Sequence, residues 1–144
     1  MANYISFTRS NYFRVTDPEA FKKIINCVIT DEDSLELWER TENGTTYYGF
    51  GAYSSICGLR HEAEDADNDD EFEVEAVYDA LAKVIAPDDA IIITEIGYEK
   101  LRYLTAYAVV ITREKTELVE LRETSIDVAC SLLGNPNFDT RMEY

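Results

Sequence analysis

Apolar positions recur at helical spacing in three stretches of the chain and alternate or run together in most of the rest. Phe21, Ile24, Ile25 and Val28 fall at i, i+3, i+4 and i+7, one buried stripe of a helix. Asp17-Pro18 opens it, because a residue before Pro is held extended and can cap, while Pro suits the first helical position. A second helix is predicted over Glu71–Ile85, with Val74, Val77, Tyr78, Leu81, Val84 and Ile85 on its apolar side. The third starts at Thr124 or Ser125, buries Ile126, Val128, Ala129, Cys130, Leu132 and Leu133, and stops at Gly134 with Pro136 beyond.

Between these helices the pattern is that of strands. The second half of Tyr4–Val15, about Asn11–Val15, reads as one. Thr30–Ser34 is polar and reads as a loop. Leu35–Thr41 alternates around Trp38, and Glu42-Asn43-Gly44 is a tight hairpin signal. Thr45–Tyr53 returns as a Tyr-rich strand whose Gly49 and Gly51 suggest a bulge or a close backbone contact, and Ser54–Arg60 extends it. Ala90–Ile96 is an Ile-rich buried strand that Gly97 breaks. Arg102–Thr112 and Thr116–Arg122 follow around a Glu114-Lys115 turn, giving an antiparallel meander. The order β-α-β-β-α-β-β-β-α implies an α+β fold: a mostly antiparallel sheet of five to six strands with two to three helices packed on one face. One domain is expected over residues 1–144, with an acidic loop at 61–71 and a short polar tail at 135–144.

Charge changes this picture. The formal net charge is −16. From His61 to Glu99 there are fourteen acids and one base, Lys83, so this window carries −13 of it. The rest, with fifteen acids and twelve bases, is nearly balanced. A strongly anionic chain is a poor direct ligand for nucleic acid or anionic membrane and a good one for a basic partner. Met1–Tyr12 lacks the apolar run of a signal peptide, and nothing approaches the ~20 apolar residues of a membrane span. Cys27, Cys57 and Cys130 are odd in number and unpaired in spacing, as reduced thiols in a cytoplasmic protein would be.

Specific chemistry is sparse. Asp65, Asp67 and Asp69 alternate as in a calcium loop, but its sixth and twelfth positions hold Asp70 and Ala76 instead of Gly and Glu. His61 is the only histidine, so a multi-histidine metal site is excluded; no metal and no cofactor are expected. Cys57 stands four residues before His61, yet it ends an apolar strand, where a buried, inert thiol is the usual state. Gly49-Phe50-Gly51 lacks the later glycine and lysine of a phosphate loop. The chain is therefore expected not to be an enzyme.

Within the acidic run, Glu71, Glu75 and Asp79 are spaced i, i+4, i+8 and form a row about 6 Å apart along a helix. Like charges at that spacing cost tenths of a kcal/mol. The row also approximates the charge spacing of a nucleic-acid backbone. Solubility alone would account for a solvated acidic loop. Tyr47, Tyr48, Tyr53, Tyr98, Tyr103 and Tyr107 exceed what a core of this size uses and suit an interface, although some of them simply cover sheet faces.

Thr8-Arg9-Ser10-Asn11-Tyr12-Phe13-Arg14-Val15-Thr16-Asp17 and Glu99-Lys100-Leu101-Arg102-Tyr103-Leu104 resemble stretches of small acidic accessory proteins carried on bacterial mobile elements. By size and charge the chain is also similar to the acidic DNA-mimic inhibitors of restriction and CRISPR nucleases. That second likeness implies a mechanism in which carboxylates occupy a basic nucleic-acid channel and compete with its ligand. On this reading the partner is a basic protein, a nucleic-acid-binding nuclease, and the contact residues are Glu64, Asp65, Asp67, Asp69, Asp70, Glu71, Glu75 and Asp79. The rival expectation is a small accessory domain whose acidity serves solubility and whose Tyr-rich sheet binds a small ligand.

Overall fold

A computed structural model of the chain describes residues 4–31, 35–60, 73–100 and 103–140. Among these, six strands form one antiparallel sheet. In chain order they are β1 (Ile5–Ser10), β3 (Glu36–Glu42), β4 (Thr45–Ala52), β6 (Ile91–Glu99), β7 (Tyr103–Ile111) and β8 (Thr116–Glu120). They lie side by side as β3-β4-β1-β6-β7-β8. Two short strands, β2 (Val28–Thr30) and β5 (Ile56–Leu59), pair with each other in a second small sheet. The helices are α1 (Pro18–Cys27), α2 (Val74–Val84) and α3 (Leu121–Leu133). This is the α+β architecture that the pattern predicts.

Local chemistry accounts for the well-predicted elements. The Asp17 side chain accepts from the amides of Glu19 and Ala20 at 3.1 and 3.2 Å, and Pro18 begins α1 as expected. Asn43 and Gly44, both at positive φ, close the β3-β4 hairpin. Phe21 and Ile25 of α1 and Val77, Leu81 and Val84 of α2 bury against Tyr48, Phe50, Ile91, Ile93, Val109 and Ile111 of the sheet. Phe13 stands at the centre, edge-on to Phe21 and Phe50 with ring centroids 5.4 and 5.9 Å apart. Thus α1 and α2 cover one face of the sheet, as the amphipathic stripes require.

Five expectations are corrected. The first strand is Ile5–Ser10, not Asn11–Val15; Phe13 and Val15 make only isolated bridges to Tyr48 and Ile85. Polarity hid it, because β1 turns Ser6, Thr8 and Ser10 inward and Ile5 and Phe7 outward. Val28–Thr30 is a strand rather than the end of a helix and the start of a loop. The 54–60 segment does not prolong β4 but crosses to pair with β2. β6 runs straight through Gly97 to Glu99. The last helix begins three residues early, at Leu121, with no connector after β8, and none of its side chains is buried. It does end at Gly134, left-handed at φ 63°, with Asn135 N–H donating to Cys130 O at 3.0 Å.

The outer face of the sheet is covered unevenly. Over β4, the Trp38 ring lies where a side chain at Gly51 would stand, and Tyr12 lies against Gly49, so these glycines mark close contacts. The Arg9 guanidinium sits 4.8 Å from the Trp38 centroid. Over β6, β7 and the start of β1, the side chains are apolar and exposed.

Candidate acidic interface

Of the predicted contact residues, Glu64, Asp65, Asp67, Asp69, Asp70 and Glu71 lie outside the described residues. Glu75 and Asp79 are placed, on α2. Val77, Leu81 and Val84 pin that helix to the core, which turns both carboxylates to solvent one helical turn apart. Glu73 precedes the helix as its N-cap and is exposed too. Negative charge there is favoured by the helix dipole, by a few tenths of a kcal/mol.

The two carboxylates do not meet the same surroundings. Asp79 borders an open cleft of about 750 Å³ that also presents Lys83, Arg113 and Lys115. The anionic row therefore ends there, against the chain's own bases. Glu75, one turn nearer the acidic run, is not part of that cleft's lining.

Many bases are engaged elsewhere. Arg14 reaches Asp88 at 2.9 Å and Asp89 at 3.3 Å, and Asp89 also accepts the Arg14 amide at 2.9 Å. The Arg14 guanidinium holds the Asp88 carboxyl below its usual range. Arg40 pairs with Glu42, and Lys115 with Glu117 at 2.6 Å. Arg113 donates to Ile85 O at 2.9 Å. Arg9 lies on Trp38, and Lys22 over Tyr48 at 5.8 Å. The 62–75 stretch contains no base at all.

One polar cluster escaped the sequence reading. Glu95, on the covered face of β6, is only 7% exposed. It stands in register between Thr8 of β1 and Tyr107 of β7. The Tyr4 hydroxyl donates to its Oε2 at 3.3 Å. Tyr78 of α2 and Tyr107 are half-buried nearby. Burial and then the charges of Glu75 and Glu95 push the Tyr78 phenol up to about 12. Burial, followed by the charge of Glu95, pushes Tyr107 upward as well. Around them Ser6 and Ser55 hydroxyls lie 2.6 Å apart and Thr8 Oγ1 donates to Ser54 O at 2.8 Å. A buried carboxylate needs hydrogen bonds in place of lost hydration; the Tyr4 phenol supplies one, while the Ser6 and Thr8 hydroxyls are turned to Ser55 and Ser54. The signal was present: Glu95 shares the inward parity of Ile91 and Ile93.

Cys57 is not an activated thiol. Cys57 donates to Asp31 Oδ1 at 2.7 Å. Burial first, and then that carboxylate, raise its pKa to about 11, the reverse of thiol activation. Its proposed partner His61 lies outside the described residues. Of the tyrosines, Tyr48 belongs to the core, Tyr107 to the Glu95 cluster, and Tyr53 and Tyr98 are exposed, Tyr53 edge-on to Phe7. Tyr47 is half-buried. Among the described residues no group of His, Cys, Asp and Glu could hold a metal ion, and no helix is long and apolar enough to cross a membrane. Comparison with family models, with curated proteins and with solved structures finds no match to the chain.

Proposed function

We propose that the chain is a non-enzymatic interaction protein that offers its central carboxylates to a basic groove, acting as a mimic of nucleic acid toward a defence nuclease such as a CRISPR effector or a restriction enzyme. The supporting observation is the segregation of charge. Six of the chain's bases are turned to other contacts, while the base-free run from Glu62 ends in Glu73 and Glu75, exposed at the start of α2. A rigid helix seated on the core thus anchors one end of the anionic segment. Asp79 marks its limit. The contact set is Glu64, Asp65, Asp67, Asp69, Asp70, Glu71 and Glu75, with Asp79 at the rim.

Binding of this kind weakens steeply with salt and competes with nucleic acid. The test measures affinity for a purified CRISPR effector and a purified restriction enzyme between ~50 and ~500 mM salt, with and without competing duplex. Replacing Asp67, Asp69, Asp70 and Glu71 by Lys is expected to abolish binding. Affinity that ignores salt, or survives the charge reversal, overturns the reading.

A second reading rests on Glu95. A carboxylate held beside Tyr4, Tyr78 and Tyr107 has the chemistry to attract a small cationic ligand, and on this reading it is where the Tyr-rich sheet would take one. Glu95→Gln would then abolish the thermal shift given by a small amine, while the four-lysine variant would keep it.

A further inference from the structure

Among the described residues two apolar surfaces are exposed. The first is the outer face over β6 and β7. Ile96 is 57% and Leu104 is 78% exposed there, beside Phe7 and Tyr98. Register places Phe7, Ile96 and Ala106 in one row and Ile5, Tyr98 and Leu104 in the next. In the middle of β7 the outward residues are small, Ala106 and Ala108, with Ile96 rising on β6 and Val119 opposite Ala108 on β8. The result is a shallow trough along β7, and at its end Ile96, Tyr98, Lys100 and Leu104 line an open depression of about 530 Å³.

The second surface is on α3. Leu121, Val128 and Leu132 recur at i, i+7 and i+11 and so form one stripe, with Leu132 83% exposed. The opposite side is different: Cys130 contacts the backbone of Pro136 and Phe138, so the following segment folds against it. The stripe has no such cover among the described residues.

We propose that the trough receives α3 of a second copy of the chain, and that the exchange is reciprocal, giving a two-fold dimer. The chain's own helix does not fill it. No residue separates Glu120 of β8 from Leu121 of α3, and both surfaces remain exposed with α3 in place. Dimensions match. From β6 to β8 is two strand spacings, about 10 Å, the diameter of a helix with its side chains. Thirteen residues of helix span about 20 Å and nine residues of strand about 30 Å, so β7 is long enough to back the whole stripe, which would lie over the Ala106-Ala108 dip and pack against Leu104 and Val110 at its two ends. Chemistry matches too. The stripe Leu121, Ser125, Val128, Leu132 and the rows from Phe7 to Leu104 contain no charge. Contact on those rows therefore buries no carboxylate, despite the −16 on each copy, while Lys100 at one end and Glu117, opposite Val110 on β8, stand at the rim. The two surfaces together offer on the order of 800 Å² per copy, the size of a standard stable interface. An isologous pairing uses both at once, which a one-sided partner would not.

The test is the mass of the full chain in solution by light scattering at ~50 μM, where a micromolar dimer is populated. The expected mass is twice 16.5 kDa. Val128→Asp with Leu132→Asp should halve it without changing the circular dichroism, because these side chains are 52% and 83% exposed in a single copy. Mixing an Ile96→Cys copy with a Leu132→Cys copy under oxidation should link those two cysteines between chains. A single-copy mass for the wild type overturns the proposal. So does a dimer that survives both aspartates, as pairing of free β8 edges would. So does a dimer lost with the aspartates but giving no Ile96-Leu132 link.

Discussion

Tyr4 fills the space that a side chain at Gly97 would need. A Cβ built on Gly97 overlaps the Tyr4 hydroxyl, and from that position the same hydroxyl donates to Glu95 two residues earlier on β6. An apparent strand breaker is thus the reason that an N-terminal phenol can reach a buried carboxylate.

Gly97→Ala should accordingly cost about 1–3 kcal/mol, as forced overpacking does. Urea unfolding measures it. Combined with Tyr4→Ala, which vacates the site, the cost should be well below the sum of the two single changes. An additive double variant would show that the two residues do not share space.

The Glu95 cluster predicts alkaline lability. The Tyr78 phenol, at about 12 when folded, and Tyr107, raised in the same sense, keep their protons longer in the folded state than at the ordinary value of 10.0. Between those values the folded state binds more protons than the unfolded one, so stability falls as pH rises. The contribution is complete below pH ~10 and is lost from there toward pH ~12. Glu95→Gln removes one source of the shift and should move the last, high-pH portion of the tyrosinate absorbance to lower pH. A high-pH portion unchanged by the substitution would leave burial as the whole cause.

Cys57 should alkylate slowly. At pH ~8.5 a thiol with a pKa near 11 is almost wholly protonated, and the thiolate is the reactive form. Asp31→Asn removes the charge and leaves only a weaker, neutral acceptor, and should speed iodoacetamide labelling of Cys57 by roughly tenfold, read by peptide mass. Equal rates in the two proteins would refute the link to Asp31.

Phe21→Ala should be among the most damaging core changes, at about 3–5 kcal/mol. Phe21 is fully buried and touches two other aromatic rings, Phe13 edge-on and Tyr48 tilted at 5.2 Å. Chemical denaturation provides the value, and a loss under 1 kcal/mol would mean that the neighbouring rings close the space.

Elements whose signals are local were readable from the chain: Asp17-Pro18, Asn43-Gly44, the α2 stripe and the Gly134 stop. What misled were positions whose environment is set by distant residues. β1 carries serine and threonine inward because a polar layer with Glu95, Ser54 and Ser55 awaits them. β2 and β5 are too short to show a period, and they pair across more than 20 residues of chain. The apolar content of α3 was read as burial, although no partner surface for it exists within the described fold. For the candidate interface, helical spacing put Glu75 and Asp79 in one row along α2, and both are exposed there. Of the bases beside Asp79, Lys83 follows one turn later on α2 and was legible, whereas Arg113 and Lys115 come from the β7-β8 turn and could not be foreseen. Glu95 was legible by parity alone.

The bare half of the sheet has one more consequence. Its rows from Phe7 to Leu104 hold no ionised group, with Lys100 and Glu117 only at the rim, so attraction there depends little on dissolved ions. Repulsion between two −16 bodies fades as ions are added. Self-association should therefore tighten over the same range of ionic strength in which a grip on a basic groove loosens. One salt titration thus drives the two encounters in opposite directions, and a cell's ionic composition would decide which of them the molecule favours.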